Sequence, residues 1–100
     1  MPDRPTLEHF QVTAIEMAGR PVEITSAQLV YTQYWNGEQA AQREWEVIGR
    51  THEEGLKEGV ERLVVTVDGQ RLKGRAVMTS SRSYGLSVFS AVGLDELIDA

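Results

Sequence analysis

Residues 60–79 read VERLVVTVDGQRLKGRAVMT. Two runs rich in β-branched residues flank Asp68-Gly69, the strongest short-range signal for a β-hairpin. With Asp68 and Gly69 as the two turn residues, Val67 faces Gln70, Val65 faces Leu72 and Leu63 faces Gly74. Alternate residues of a strand point to opposite faces, so this set forms one mostly apolar surface directed at a core. The other surface is basic. Arg71, Lys73 and Arg75 occupy alternate positions of the second strand, and the same register sets Arg62 opposite Arg75.

Working outward from the hairpin, each flank carries strand signals. Residues 86–92 continue as a third strand, with Leu86, Val88 and Val92 on one face and Phe89 and Ala91 on the other, so the three strands make a meander. Residues 79–85 between them read as a polar turn. On the N-terminal side, Val22 and Ile24 share one phase and Ala27, Leu29, Tyr31 and Trp35 the other, which places a bend near Ser26. Asn36-Gly37 reverses the chain. A tight turn there would set Leu29 and Tyr31 against Glu44 and Gln42, whereas a loop of about seven residues pairs Tyr31 with Trp45 and Leu29 with Val47. The longer loop is preferred, and the competing assignment makes residues 38–45, EQAAQREW, a helical turn or two. Earlier still, Phe10, Val12 and Ala14 alternate in phase and Ile15 and Met17 continue in the opposite phase, as in a strand with a bulge near Ala14 or one covered on both faces. Gly19-Arg20-Pro21 marks a turn.

Two segments suggest short helices. Thr51-His52-Glu53-Glu54 has the spacing of a capping box and suggests a helix reaching no further than about Gly59, because Gly55 and Gly59 each cost roughly 1 kcal/mol relative to alanine; a mobile loop is the alternative. Residues 94–100, LDELIDA, read as a short amphipathic helix or tail packing Leu94, Leu97 and Ile98 on the sheet. Residues 1–6 hold two of the three prolines and read as a frayed N-terminus. The whole is one domain of 100 residues, mostly β: a small antiparallel β-sandwich or partly open barrel of about six strands with at most one or two short helices. An α+β roll is the alternative.

Composition narrows function chiefly by exclusion. The chain has no cysteine, which removes disulfides, thiolate-held zinc, iron–sulfur clusters and a cysteine nucleophile. His9 and His52 sit in no metal-spacing motif, no glycine-rich phosphate loop occurs, and Ser80, Ser81 and Ser83 lack a nucleophile-elbow setting. Paired carboxylates such as Glu44 and Glu46 alternate along a strand and read as its solvated face. No cofactor and no catalytic residue are assigned, and no membrane segment or export signal is apparent, which makes a cytoplasmic protein the expectation. The segment SSRSYGLSV resembles in part the cyclic-di-nucleotide-binding PilZ family, whose signature joins an arginine pair to a later D/NxSxxG. Where that signature needs serine, three residues before Gly85, this chain has Arg82, so the family's ligand is not carried over.

The net charge of −5 is unevenly distributed. Residues 62–82 hold Arg62, Arg71, Lys73, Arg75 and Arg82 against the single acid Asp68, while residues 44–61 and the tail are acidic. The expected function is therefore a non-enzymatic protein-interaction or self-assembling structural domain with a basic hairpin face on an acidic body. Its candidate binding residues are Arg62, Arg71, Lys73, Arg75, Tyr34 and Trp35. The partner is another protein or further copies of the chain, for which head-to-tail contacts between basic and acidic faces offer a motive. Alternatives are a module for an anionic ligand (phosphate or nucleic acid) on the basic stripe or a sugar on Trp35, and third a small hydrolase or isomerase without cofactor.

Overall fold

The computed structural model describes residues 4–100. The strands are β1 (Thr6–Gln11), β2 (Ala14–Met17), β3 (Arg20–Val22), β4 (Ser26–Asn36), β5 (Gln39–Thr51), β6 (Gly59–Val67), β7 (Gln70–Ser83), β8 (Leu86–Gly93) and β9 (Ile98–Asp99). Every pairing is antiparallel, in the order β1-β4-β5-β8-β7-β6-β2-β3, with β9 added to β7. Among the described residues there is no helix, and so none long and apolar enough to cross a membrane. β1 with β2, and β3 with β4, are nearly continuous, so the nine strands amount to the expected six runs plus β9.

The phase change at Ala14 is where one strand changes partner. The Val12 amide donates to Ala27 O and the next amide, Thr13, donates to Thr66 O, each at 2.9 Å. Successive amides point to opposite edges, so β1 joins β4 on one side and β2 joins β6 on the other. The sheet thereby curls around its core without closing into a true barrel. Inside lie Val12, Ile15, Met17, Val22, Leu29, Trp45, Val47, Leu63, Val65, Val67, Met78 and Phe89, with Phe10, Tyr31, Leu72 and Leu97 packed against them.

The central hairpin has the expected register, Val67 to Gln70, Val65 to Leu72 and Leu63 to Gly74. Asp68 and Gly69 both take positive φ, 51° and 77°, the conformation of a type I′ turn whose twist matches the strands it joins. The β4–β5 pairing is likewise as expected, Tyr31 to Trp45 and Leu29 to Val47, but its cause differs. Instead of a seven-residue loop, a two-residue turn at Gly37-Glu38 is followed by a bulge between Gln33 and Trp35, which restores the register. The Gln33 side-chain Nε2 donates to Tyr34 O and Gln42 O and so holds the bulge.

Four local assignments are corrected. Residues 39–45 are strand, because pairing with β4 outweighs their helix propensity. No helix follows Thr51: its buried hydroxyl donates to Glu23 O and accepts from the Glu53 amide at 3.0 Å, and Gly55 and Gly59 take φ of 73° and 101°, outside helical geometry. β7 runs through the supposed polar turn to Ser83, leaving Tyr84-Gly85 as the reversal. At the C-terminus Ile98 and Asp99 pair with Lys73 and Leu72, so only Leu97 packs inward while Leu94 and Ile98 stay exposed. Of the frayed N-terminus, residues 1–3 lie outside the described residues and Thr6 already begins β1.

Candidate interaction face

The β6–β7 hairpin gathers Arg62, Arg71, Lys73 and Arg75 on its outward surface, all exposed. The stripe is partly neutralised by the chain itself. Arg71 pairs with Glu16 at 3.0 Å, across the sheet on β2. Arg75 is held twice by Asp95: its amide donates to Oδ1 and its Nε donates to Oδ2, both at 2.9 Å. The Arg75 amide, and after it the guanidinium, hold the Asp95 carboxyl below the usual aspartate range. Arg62 and Lys73 make no ion pair among the described residues. They border a shallow groove of about 860 Å3 that also includes Val60, Val64, Asp95 and Ile98.

Tyr34 and Trp35 are on the other long hairpin and do not join the basic stripe. The Tyr34 hydroxyl donates to Glu44 Oε2 at 3.3 Å, and the negative charge of Glu44 raises its pKa above the ordinary tyrosine value. Trp35 is half-buried, its indole N–H donating to Thr6 Oγ1 at 3.1 Å. Trp45 is a core residue: its indole lies against Gly93 and Gly74 and its N–H donates to Asp95 O at 2.5 Å. Tyr31 stacks edge-on against Phe10, with ring centroids 6.0 Å apart, and carries the Arg43 guanidinium over its other side at 3.8 Å.

The two hairpins point the same way. β5 and β7 are both antiparallel to β8, which lies between them, so they run parallel to one another. Val77 is opposite Val92, and Val92 is opposite Glu46. Two residues nearer the hairpin tips, Arg75 and Arg62 stand level with Glu44. Glu44 is steadied by Tyr34 and by Gln42, whose Nε2 donates to its Oε1 at 2.9 Å. Glu46 accepts from Ser90 Oγ. One end of the outer surface thus carries a basic flank on β6–β7 and an acidic flank on β5.

Between these flanks lies an apolar row that the sequence reading missed. Val60 is opposite Val77 and Val77 opposite Val92; Ile48 and Val88 continue diagonally across β5 and β8. These five side chains are each 37–59% exposed. Beside them Thr79, Ser81 and Ser90 form a shallow depression of about 370 Å3. Contiguity across three strands separates this patch from scattered surface hydrophobics. The signal was present in residues 86–92, apolar in both phases, since a strand with one wet face alternates with polar residues.

At the far end of the sheet, Arg82 fastens the 52–55 segment. Its guanidinium donates to Glu53 O, Ser87 Oγ and Gly85 O at 3.0–3.1 Å and meets Glu54 Oε1 at 3.3 Å. Glu53 in turn accepts from Arg20 at 2.9 Å and from the Glu23 amide at 2.6 Å, and these bonds, Arg20's foremost, lower its carboxyl pKa. His52 is exposed, with Nδ1 at 3.3 Å from Gly85 O. These bonds tie the loop to the strands. Among the described residues no three of His, Asp and Glu converge as a metal site requires. Comparison of the chain with protein-family models, with curated proteins and with solved structures returns no match, so the argument for function rests on this surface alone.

Proposed function

We propose that this chain is a non-catalytic, cytoplasmic protein-interaction or self-assembling domain whose contact surface is the outer face of β6, β7, β8 and β5. The exposed row Val60, Val77 and Val92 carries the reading, because apolar side chains aligned across three strands make a surface that gains by being covered. The flanking charges add selectivity: a basic edge and an acidic edge on either side of an apolar strip give a partner one orientation. The experiment is differential capture. Native protein and a Val77→Glu/Val92→Glu variant, immobilised in parallel, are exposed to extract of the source cell and to the chain itself. Protein retained by the native face and lost from the variant supports the reading; equal retention refutes it.

A second reading, binding of a phosphate-bearing ligand, is favoured by Arg62 and Lys73 making no ion pair among the described residues. Asp95 and Glu96 line the same groove and oppose it. An anionic ligand bound there dissociates with rising salt and is lost in Arg62→Glu/Lys73→Glu, whichever valines are present.

A further inference from the structure

Resting on the reading just given, we propose that the occupant of this face is a second copy of the same chain, related by a two-fold axis that runs parallel to the strands between β7 and β8. A head-to-tail contact needs complementary patches on different sides of the molecule, whereas here apolar row, basic flank and acidic flank share one face and one end. A two-fold contact needs a single patch that complements itself.

The register makes that test specific. Turning the molecule about the stated axis exchanges β7 with β8 and β6 with β5, and leaves each residue at its own level along the strands. Val77 then meets the partner's Val92, and Val92 meets the partner's Val77. Two residues toward the hairpin tips, Arg62 meets the partner's Glu44, and Glu44 meets the partner's Arg62. Each contact occurs twice. Among the described residues Arg62 has no ion pair, and Glu44 is already steadied by Tyr34 and Gln42. Because the sheet curls around its core, its outer surface is convex, and two such surfaces touch closely only along their central strands. Val77 and Val92 occupy that line, while Val60 stands out on β6, where the same rotation brings it over the partner's Glu46. The long Arg62 and Glu44 side chains stand on the flanks, where the gap between the sheets widens and reach is needed. The serines and threonines of β7 and β8 keep the far end of the strip low, so that the sheets can approach there as well.

The test uses light scattering over a range of concentrations on the full chain. Five samples are compared with the native protein: Arg62→Glu, Glu44→Arg, the double variant carrying both, an equal mixture of the two single variants, and Val77→Glu. Both charged positions are exposed, and circular dichroism melts establish that each variant is folded. The native chain is expected at about twice its 11.2 kDa mass. Each single reversal opposes like charges at two symmetric places and is expected to raise the dissociation constant at least about tenfold. The double variant and the mixture both restore opposite charges at both places, and both are expected to recover the dimer.

Reversals without effect, or failure of the double variant to recover, would overturn the two-fold arrangement. If Val77→Glu still dissociates the protein in that case, the face remains the contact surface and only its geometry falls. A native chain that stays monomeric throughout overturns the second copy as occupant, while valine-dependent capture of a different protein would leave the interaction reading standing. Indifference of both assays to the valines removes both proposals.

Discussion

Replacing Gly93 with alanine tests the packing that sets the two faces of β8 apart. A Cβ at Gly93 would lie 2.3 Å from Trp45 Cε2, 2.4 Å from Nε1 and 2.6 Å from Cδ2, closer than carbon atoms approach without displacement. Gly93 does not need a left-handed backbone, so the penalty is steric. Overpacking a filled core costs about 1–3 kcal/mol. Displacing the indole also strains or breaks its bond to Asp95 O, worth about 0.5–1.5 kcal/mol. Alanine returns about 0.4–1 kcal/mol by restricting the unfolded chain. The balance is a loss of about 2–3 kcal/mol, equivalent to a fall in Tm of about 8–24 °C for a domain of this size. Gly74→Ala provides the graded control, since its Cβ would meet Trp45 Cζ2 at 2.9 Å and Leu97 Cδ2 at 3.1 Å, and about 1 kcal/mol is expected there. Urea unfolding followed by tryptophan fluorescence in a Trp35→Phe background reads both stability and the surroundings of Trp45. A Gly93→Ala variant within about 0.5 kcal/mol of the parent, with unchanged Trp45 emission, would refute the close packing of indole on strand.

Glu53 and Asp95 ionise more readily folded than unfolded, so their contribution to stability is complete above the ordinary carboxylate range and is lost as pH falls through their lowered folded values. The urea midpoint should therefore fall more steeply below about pH 4.5 in the native chain than in Glu53→Gln/Asp95→Asn, and identical slopes would count against these bonds as the source. Arg82→Lys keeps the charge but cannot reproduce the planar fork that reaches Glu53 O, Ser87 Oγ and Gly85 O together, so a loss of about 1–3 kcal/mol is expected. Amide exchange in the 52–55 segment should quicken with it; unchanged exchange and stability would mean that loop is held by Thr51 and Glu53 alone.

The parts of the fold legible in the sequence are those that short-range chemistry decides. Asp68-Gly69 selects its turn, the turn fixes the register, and the register puts Arg62 and Arg75 opposite one another. The β4–β5 register was readable for another reason: only one alignment brings Tyr31 and Leu29 onto Trp45 and Val47. How the chain reaches that alignment was not, because the bulge depends on Gln33 reaching carbonyls on both strands. The capping-box pattern at Thr51 failed on the same ground. Its hydroxyl is spent on Glu23 O, a partner 28 residues away that no local pattern reveals. For the candidate site, the positions of the four hairpin cations were legible and their pairing was not. Arg71 and Arg75 meet acids on β2 and in the C-terminal tail, and those neighbours exist only in the folded sheet.

The apolar face was hidden by an inversion of size on β7 and β8. Valine suits a strand wherever it points, so exposed valines alone carry little weight. What gives these weight is the row behind them. At the level where Val77 and Val92 meet on the outside, the neighbouring inward pair is Ala76 and Gly93. These inward positions are small because Trp45 is folded over them, and on β5, opposite Phe89, a Cβ on Gly49 would strike the phenyl ring at 2.3 Å. Trp45 and Phe89 therefore leave no room for a larger side chain at the positions they cover, Gly74 and Gly93 under the indole and Gly49 under the phenyl ring. At that level the bulkier residues, Val77 and Val92, point outward, while Met78 and Phe89 of the same strands still point into the core. Stability of the isolated fold does not call for that arrangement, since Thr79 and Ser90 serve neighbouring outward positions on these two strands. An apolar strip on the outward side of such a sheet gains by being covered, and for this reason the outer face, rather than the basic stripe by itself, supports the proposed protein contact.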